Sequence, residues 1–461
     1  MKQTISFKNA IFVVVFALGG ILSYGQEQPK VFGRTIDPAG INPANGKIRC
    51  ATNEYEAYLK EQDPGRASRA EFEAWLAPKI EAAKLRRQAS PDETNSIITI
   101  PIVVHVIHNG DAIGSSENIA DGQVLSQITV LNQDFRRMFG TPGYNENPVG
   151  ADMEIQFALA QVDPDGNPTT GIDRVNLGMA SWNESNVENT LKPSTIWDPS
   201  QYFNIWVCNF GGDLNGVLGY AQFPNTNSVP GIGTGNGGST TDGLIIGYRY
   251  FGSETLYPLG NYEWPYNEGR TSTHEIGHCF GLIHISGDNF SCTVNGTDSQ
   301  KDYCPDTPAT NDYNYECSVV DTCPVAAGFD MIENYMDYTN DTCMNIFTQN
   351  QKNRMLGVLA SAPRRASLTT SDVWLAKEEF TALSGINVYP NPANDVLNIT
   401  ASNGELPENY TIHNSLGQVI ASAKISTEAD LSINTAGYSS GIYFIKVNKG
   451  NQSKTLKFVK N

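Results

Sequence analysis

The chain is poor in basic residues. Its 461 residues include 31 Lys and Arg against 49 Asp and Glu, which gives a formal net charge of −18. This deficit argues against nucleic acid or an anionic membrane surface as a partner. The apolar run from Ala10 to Leu22 is shorter than the ~20 residues that a bilayer span needs. We therefore expect neither a membrane-spanning helix nor a nucleic-acid partner.

The residues on either side of that short apolar run are typical of a secretory signal peptide. Lys2 and Lys8 precede it and Ser23-Tyr24-Gly25 follows it, which is the order of a basic region, an apolar core and a cleavage site. We predict a signal peptide over residues 1–25; the alternative is a buried N-terminal helix. Export would make the extracellular space or the cell surface the destination.

Cysteine is sparse and unevenly placed. Five of the eight cysteines fall between residues 292 and 343, whereas Cys50 is alone in the first two hundred residues. Disulfides persist outside the cytoplasm, so the crowded cysteines are candidates for bridges. An isolated cysteine in a secreted chain needs a separate explanation.

Composition divides the rest of the chain into segments. Residues 26–89 are charged and partly helical, with Pro78 as the expected interruption. Residues 90–370 alternate apolar strands with amphipathic helices, which predicts an α/β (α+β) domain with a mixed sheet. A linker at 371–385 precedes short strands separated by Gly, Asn and Ser, so residues 386–461 predict a small all-β sandwich. Further expected features are a loop at 225–243, strands at 97–108, 153–159, 203–207 and 243–248, and a helix carrying Val124, Ile128, Leu131 and Phe135.

Only six histidines occur, and three of them lie in "HEIGHCFGLIH" at 274–284. His274 and His278 share one helix face, but in a straight helix His284 would lie ~15 Å beyond His274. Gly281 can adopt the positive φ of a helix-ending turn that brings His284 back. The spacing predicts a zinc site with three histidine ligands and an open fourth position. We take His105 and His108 as structural or exposed.

Glu275 adds catalytic chemistry to this predicted zinc site. Three neutral imidazoles leave the zinc doubly positive, which lowers the pKa of a bound water. Glu275, adjacent to the first ligand, can take a proton from that water as a general base and later protonate the leaving amine. The pattern therefore predicts hydrolysis by a metal-activated water.

The motif HExxHxxGxxH is the metzincin signature, and "NYMDYTNDTCM" at 334–344 supplies the methionine turn at Met336. With "LGYAQFP", "PDTPA" and "FTQNQKNRM", the sequence resembles the pappalysin family of metzincin peptidases over residues 97–370, in particular its bacterial secreted members. The resemblance implies that Met336 forms an apolar base beneath the zinc. It implies that Tyr338 assists the tetrahedral intermediate, and that Asp341 selects Arg or Lys after the scissile bond.

The same resemblance implies two disulfides, Cys292–Cys323 and Cys317–Cys343. Cys304 departs from the family pattern and could pair with Cys279 or Cys208 or stay free. The segment "KDYCPDTPA" matches one that holds structural calcium in relatives. Its oxygen ligands would come from Asp302, Asp306 and Thr307.

The lone Cys50 is a candidate latency switch. In many metzincins a pro-segment thiolate occupies the open position on zinc, so residues 26–89 would be a pro-segment that ends near Arg86-Arg87. A structural cysteine, a disulfide to an odd cysteine of the mature part and an acidic switch nearby are the alternatives. The enzyme could itself cut before one of these arginines.

Residues 386–461 resemble the sorting domain that the type IX secretion machinery reads, through "VYPNPANDVLNI", "NSLGQVI", "GIYFIKV" and "TLKFVK". The resemblance implies export followed by removal or attachment at the cell surface. The function predicted for the whole chain is a latent, secreted, zinc-dependent endopeptidase with protein or peptide substrates. The alternative is a secreted binding or adhesion protein in which zinc is structural, and a hydrolase of non-peptide bonds has no motif in its favour.

Overall fold

The protein is seen as a computed structural model that describes residues 28–89, 97–226, 238–292, 302–375, 383, 385–401, 406–450 and 452–461. The predicted signal peptide lies outside these residues, as do parts of the predicted loop at 225–243 and of the linker. In the described ranges no helix is both long and apolar enough to cross a membrane.

The predicted pro-segment folds as two short strands and two helices. These are β1 (Lys30–Val31), β2 (Arg34–Thr35), α1 (Thr52–Gln62) and α2 (Arg69–Ala89). Helix α2 runs through Pro78, so the expected interruption was wrong. Buried Phe72 and Leu76, in the turns before the proline, pack with Val358 and Ala362 of the following domain. This packing holds the helix to the domain and outweighs the cost of a proline within it.

The following domain is built on a mixed six-stranded sheet, as expected. The strand order is β4-β3-β6-β8-β7, and β5 also pairs with β3. All pairings are parallel except that of β7 with β8, which makes β7 an antiparallel edge strand. The strands are β3 (Ile98–His108), β4 (Ile155–Leu159), β5 (Ile172–Asn176), β6 (Phe203–Cys208), β7 (Gly219–Ala221) and β8 (Leu244–Gly247).

Successive side chains of a strand point to opposite faces, so the sheet has two cores. On β8, Leu244 and Ile246 belong to the main core with two long helices, whereas Ile245 belongs to a second core on the other face. Pro-segment residues complete this second core, among them the fully buried Val31 and Tyr55. The helices in this domain are α3 (Asp121–Phe135), α4 (Glu184–Asn186) with a π-turn (Val187–Leu191), α5 (Lys192–Thr195), α6 (Arg270–Cys279), α7 (Gln349–Leu359) and α8 (Pro363–Leu368).

The C-terminal unit consists of two antiparallel sheets, β13-β10-β9 and β12-β11-β14-β15. Alternate strand residues such as Leu397, Ile399, Ile412 and Ile445 form its core. The expected all-β architecture is confirmed, although β12 and β13 carried no recognised strand pattern. The strands are β9 (Ile386–Tyr389), β10 (Val396–Ala401), β11 (Asn409–Asn414), β12 (Val419–Lys424), β13 (Ser432–Asn434), β14 (Gly441–Lys449) and β15 (Gln452–Lys460).

Candidate zinc centre

The three histidines of the motif converge on one point. His274 and His278 lie one turn apart on α6, and the helix ends at Cys279. Gly281 follows with φ of +88°, and the N–H of Leu282 donates to the carbonyl of Gly277, which closes a Schellman-type turn. The turn brings the Nε2 atom of His284 to 3.1 Å from that of His278 and 3.3 Å from that of His274.

The separations between these nitrogens fit a tetrahedral zinc. Zinc–nitrogen bonds of ~2.0–2.1 Å place neighbouring ligand atoms about 3.3 Å apart. The third separation, between His274 and His278, is 3.2 Å. Cys50 Sγ lies 3.4 Å from His278 Nε2, and the four ligand atoms lie within 4.8 Å of one another. Three histidines and a cysteine are a ligand set that zinc accepts.

The other ring nitrogens show which way the lone pairs of the histidines point. The Nδ1 atoms of His274 and His278 contact the carbonyl oxygens of Tyr335 and Leu282, at 2.7 and 2.9 Å. Each Nδ1 therefore carries the proton, and each Nε2 directs a lone pair at the shared point. Burial, followed by the neighbouring histidines, lowers the pKa of His274 well below its usual range and that of His278 to about 3. Both imidazoles stay neutral and can bind a metal.

The third ligand is oriented by a carboxylate that sequence reasoning missed. Asp288 Oδ1 lies 2.5 Å from Nδ1 of His284 and accepts a hydrogen bond from the Tyr313 hydroxyl. Its other oxygen accepts from Arg69 of the pro-segment at 2.8 Å. A carboxylate four residues after the third histidine was the available signal, since metal-binding histidines usually donate to such a group.

Glu275 is buried beside the ligand cluster and held by the pro-segment. Thr52 Oγ1 donates to Glu275 Oε2 at 2.9 Å, and the Cys50 thiol lies 3.6 Å from the same oxygen. The other carboxylate oxygen, Oε1, has no hydrogen-bond partner among the described residues. Burial raises the pKa of Glu275 to about 7, although the hydrogen bonds from Thr52 and Cys50 lower it. Burial and the charge of Glu275 raise the pKa of the Cys50 thiol.

The methionine and tyrosine of the predicted turn lie beneath and beside the histidines. Met336 is fully buried, and its sulfur approaches α6 so closely that a Cβ at Gly277 would lie 2.4 Å from it. The Tyr338 ring lies 4.9 Å from the His284 ring and stacks on Tyr313 at 4.0 Å. Met336 and Tyr338 are therefore both placed at the candidate centre.

Asp341 forms a buried ion pair with Arg49 of the predicted pro-segment. Asp341 is buried, and its Oδ2 accepts from the backbone N–H groups of Glu268 and Arg270 at 3.0 and 3.2 Å. Its Oδ1 accepts from the Arg49 guanidinium at 3.2 Å, and that guanidinium lies over the Tyr266 ring at 5.2 Å. Sequence reasoning missed Arg49, although a basic residue immediately before Cys50 was visible.

The crowded cysteines form the two bridges that the resemblance implies, Cys292–Cys323 and Cys317–Cys343. Cys208 and Cys279 are buried free thiols. The two alternative disulfides, Cys304–Cys279 and Cys304–Cys208, are therefore not formed. Burial raises the pKa of both thiols, which suits a structural role.

The contacts of the expected calcium ligands are made within the chain. Thr307 Oγ1 donates to Asp302 at 2.9 Å. Asp306 accepts from the Thr348 hydroxyl at 2.7 Å and from the N–H of Asn350 at 2.9 Å, at the start of α7. Asp302 thus accepts hydrogen bonds within a loop, and Asp306 accepts them at the start of a helix. Calcium binding stays a prediction without support here.

Comparisons with known proteins identify the family of this chain. A sequence profile described as pregnancy-associated plasma protein-A matches residues 186–360, and one described as a secretion system C-terminal sorting domain matches residues 387–461. An extracellular metalloprotease of Verticillium alfalfae is 31% identical over 356 residues, which are 76% of this chain and 96% of the relative. The chain belongs to the pappalysin family of metallopeptidases. A second extracellular metalloprotease, from Colletotrichum graminicola, is 31% identical over 56% of this chain and 75% of its own length.

Among solved structures, mature mirolysin of Tannerella forsythia in complex with a cleaved peptide is 38% identical. The match covers 59% of this chain and 96% of that chain, with a TM-score of 0.49. A promirolysin mutant of the same organism is 34% identical over 63% of this chain and 91% of that chain, also with a TM-score of 0.49.

Family membership settles the coarse function of this pappalysin. The chain is a secreted metalloendopeptidase, the family implies a catalytic zinc, and peptides are its substrates. The C-terminal sorting domain makes the type IX secretion machinery its partner in export.

Proposed function

We propose that this pappalysin is made latent and cleaves peptide bonds on the amino-terminal side of Arg or Lys, with water activated by Glu275. One observation carries the proposal: three groups of residues meet at one site. The lone pairs of three imidazoles converge, Glu275 is buried beside them, and Asp341 is paired with the basic side chain of Arg49. A purely structural zinc would need no general base and no such ion pair.

The hydrolytic step uses residues already at the centre. His274, His278 and His284 would hold zinc, which when bound supplies a Lewis acid that polarises the peptide carbonyl and makes water acidic. Glu275 takes the proton of the attacking water and delivers it to the leaving amine. The Tyr338 hydroxyl donates to the oxygen that becomes negative, because burial keeps its pKa well above the usual range.

Specificity for a basic side chain follows from the charge of Asp341. Its carboxylate is buried, and a positively charged side chain is the partner that offsets its desolvation. Arg49 supplies that partner in the full chain, and its neighbour Cys50 lies against the zinc ligands. The space filled by Arg49, the Asp341 pocket, therefore adjoins the reacting centre, and the Arg49 guanidinium stands in for the Arg or Lys of a substrate.

Latency follows from the same contacts. Cys50 would take the fourth position on zinc, and Thr52 holds Glu275 through a hydrogen bond. The peptide from residue 48 to 52 lies along the edge strand β7, since the N–H of Ala51 donates to the Gly219 carbonyl at 3.1 Å. Arg86 and Arg87 lie in the last turn of α2, so a cut there would first require that turn to unwind. We place the pro-segment at residues 26–89 and the catalytic domain at 90–370.

Metal removal tests the proposed chemistry. Treatment of the matured enzyme with 1,10-phenanthroline is expected to reduce peptide hydrolysis by about a hundredfold or more, because the Lewis acid is lost. One equivalent of zinc per chain should restore the rate, whereas calcium alone should not. Full activity in protein shown by mass spectrometry to be free of zinc would contradict the proposal.

Replacement of the thiol tests latency. The full chain carrying Cys50→Ser is expected to hydrolyse a fluorogenic peptide at least about tenfold faster at the earliest time points, because a hydroxyl is a poorer zinc ligand than a thiolate. Arg49 would still fill the Asp341 pocket, so latency should be weakened and not abolished. Cys208→Ser, at another buried thiol, is the matched control and should stay as latent as the unmodified chain. Equal latency of both variants would argue against the switch.

A further inference from the structure

A third pro-segment side chain, Tyr55, occupies a built site on the catalytic domain. Its ring is fully buried and lies 4.9 Å from the Tyr220 ring of β7. Its hydroxyl donates to Glu188 Oε2 at 2.6 Å. Burial and the charge of Glu188 raise the pKa of Tyr55 well above its usual range, so the phenol keeps the proton that it donates.

The receiving groups belong to the catalytic domain and form a network of their own. Glu188 is 7% exposed, and its Oε1 accepts from the Tyr220 hydroxyl at 2.7 Å and pairs with Lys192 at 2.6 Å. The Lys192 ammonium is fully buried and lies 4.6 Å from the Tyr55 ring centroid and 4.5 Å from that of Tyr220. When the pro-segment leaves, Glu188 Oε2 loses the hydrogen bond from the Tyr55 hydroxyl, and the Lys192 ammonium loses its contact with the Tyr55 ring.

The position of this site relative to the reacting centre follows from chain order. Along the pro-segment, Arg49 fills the Asp341 pocket, Cys50 lies at the zinc ligands, and Tyr55 lies beyond them. Residues 48 to 51 run along the edge strand β7, which a bound substrate can also extend by strand pairing. Helix α1 begins at Thr52, and from its first turn Tyr55 packs on Tyr220 of the same strand. With the Asp341 pocket after the scissile bond, the Tyr55 site lies before it.

We propose that Glu188, Lys192 and Tyr220 form a subsite of the mature enzyme for a tyrosine side chain on the amino-terminal side of the scissile bond. The inference rests on the proposed peptidase function and on the assignment of the Asp341 pocket. Arg49 and Cys50 each stand where a substrate group would lie, and Tyr55 marks a third such place. The ring would pack on Tyr220 beneath the Lys192 ammonium, and the phenol would donate to Glu188.

The chemistry of the subsite predicts discrimination between tyrosine and phenylalanine. A site built around a buried acceptor rejects an analogue that lacks the donor, because the acceptor is then left without its hydrogen bond. O-methyltyrosine has the ring and the oxygen but no proton to donate. It should therefore be as poor as phenylalanine, or poorer because of its added methyl group.

The test uses enzyme matured from the full chain and fluorogenic peptides with Arg after the scissile bond. Tyrosine, phenylalanine, O-methyltyrosine or alanine is placed in turn at each of the four preceding positions. At one position we expect kcat/KM for tyrosine to exceed that for phenylalanine and O-methyltyrosine by about tenfold or more. Glu188→Gln should bring the tyrosine-to-phenylalanine ratio close to one. Glu184→Gln, one turn earlier, where the carboxylate accepts from the N–H of Phe32, should leave that ratio unchanged.

The comparison of peptides needs no variant, so it decides the matter even if Glu188→Gln does not fold. Equal rates for the three aromatic residues at every position would overturn the subsite, as would a tyrosine preference that survives Glu188→Gln. Cleavage of the alanine peptides with no tyrosine preference would overturn the subsite alone. Failure to cleave any peptide would overturn the proposed function as well.

Discussion

Glu275→Gln is expected to reduce kcat/KM for peptide hydrolysis by about 10³-fold or more, with the protein still folded and zinc still bound. The substitution keeps the size of the side chain but removes the base that accepts a proton from water. General acid–base catalysis contributes about 10²–10⁴-fold, and here one group serves both halves of the reaction. The measurement is the initial rate of fluorogenic peptide hydrolysis by matured enzyme at equal zinc content.

Zinc content separates loss of the base from loss of the site. Glu275 is not among the four residues whose ligand atoms cluster, so the variant should retain one zinc per chain. Glu146→Gln, at an exposed carboxylate, is the control for a charge change and should leave the rate unaltered. A zinc-loaded Glu275→Gln enzyme within about tenfold of the unmodified one would mean that another group activates the water.

Asp341→Asn is expected to reduce kcat/KM for peptides with Arg after the scissile bond by about 10²–10³-fold. Removing one partner of a buried ion pair costs about 3–5 kcal/mol, which corresponds to that range or more. The amide can still accept from the N–H of Glu268 or Arg270, so the pocket should keep its shape. For peptides with an uncharged norleucine at the same position, kcat/KM should fall less than about fivefold, because norleucine forms no ion pair with the carboxylate.

The ratio of the two peptides is the decisive readout for Asp341. Unlike an absolute rate, the ratio does not change when a variant is only partly active. Asp312→Asn, at an exposed carboxylate in the same part of the chain, is the matched control and should keep the preference for Arg. A preference for Arg that persists in Asp341→Asn would place the selecting carboxylate elsewhere. The same variant should also weaken latency, because Arg49 loses its partner.

The convergence of the three histidines could be predicted because their spacing is local. His274, His278, Gly281 and His284 span eleven residues, and helix geometry with one left-handed residue fixes how they meet. The mixed sheet was predictable for the same kind of reason, since the buried run of β3 and the alternation of β4 are visible within a few residues. The missed strands β5 and β7 have at most five residues and little pattern of their own.

The contacts of the pro-segment could not be predicted because they join distant parts of the chain. Arg49 and Asp341 are 292 positions apart, and Thr52 and Glu275 are 223 apart. No local period encodes such pairs; they depend on how α1 and the edge strand β7 are brought together. The unbroken helix α2 is a related case. Packing of Leu76 and Phe72 against Val358 keeps the helix continuous, although the proline within it favours a break.

The most direct test of the account is a map of cleavage sites made by the matured enzyme in a peptide library derived from whole-proteome digests. Mass spectrometry would identify each cut with and without a zinc chelator. The account predicts cuts that vanish with the chelator and that have Arg or Lys immediately after the scissile bond. Zinc-dependent cuts with no basic residue at that position would contradict the Asp341 pocket, and cuts that the chelator leaves unchanged would contradict the zinc centre itself.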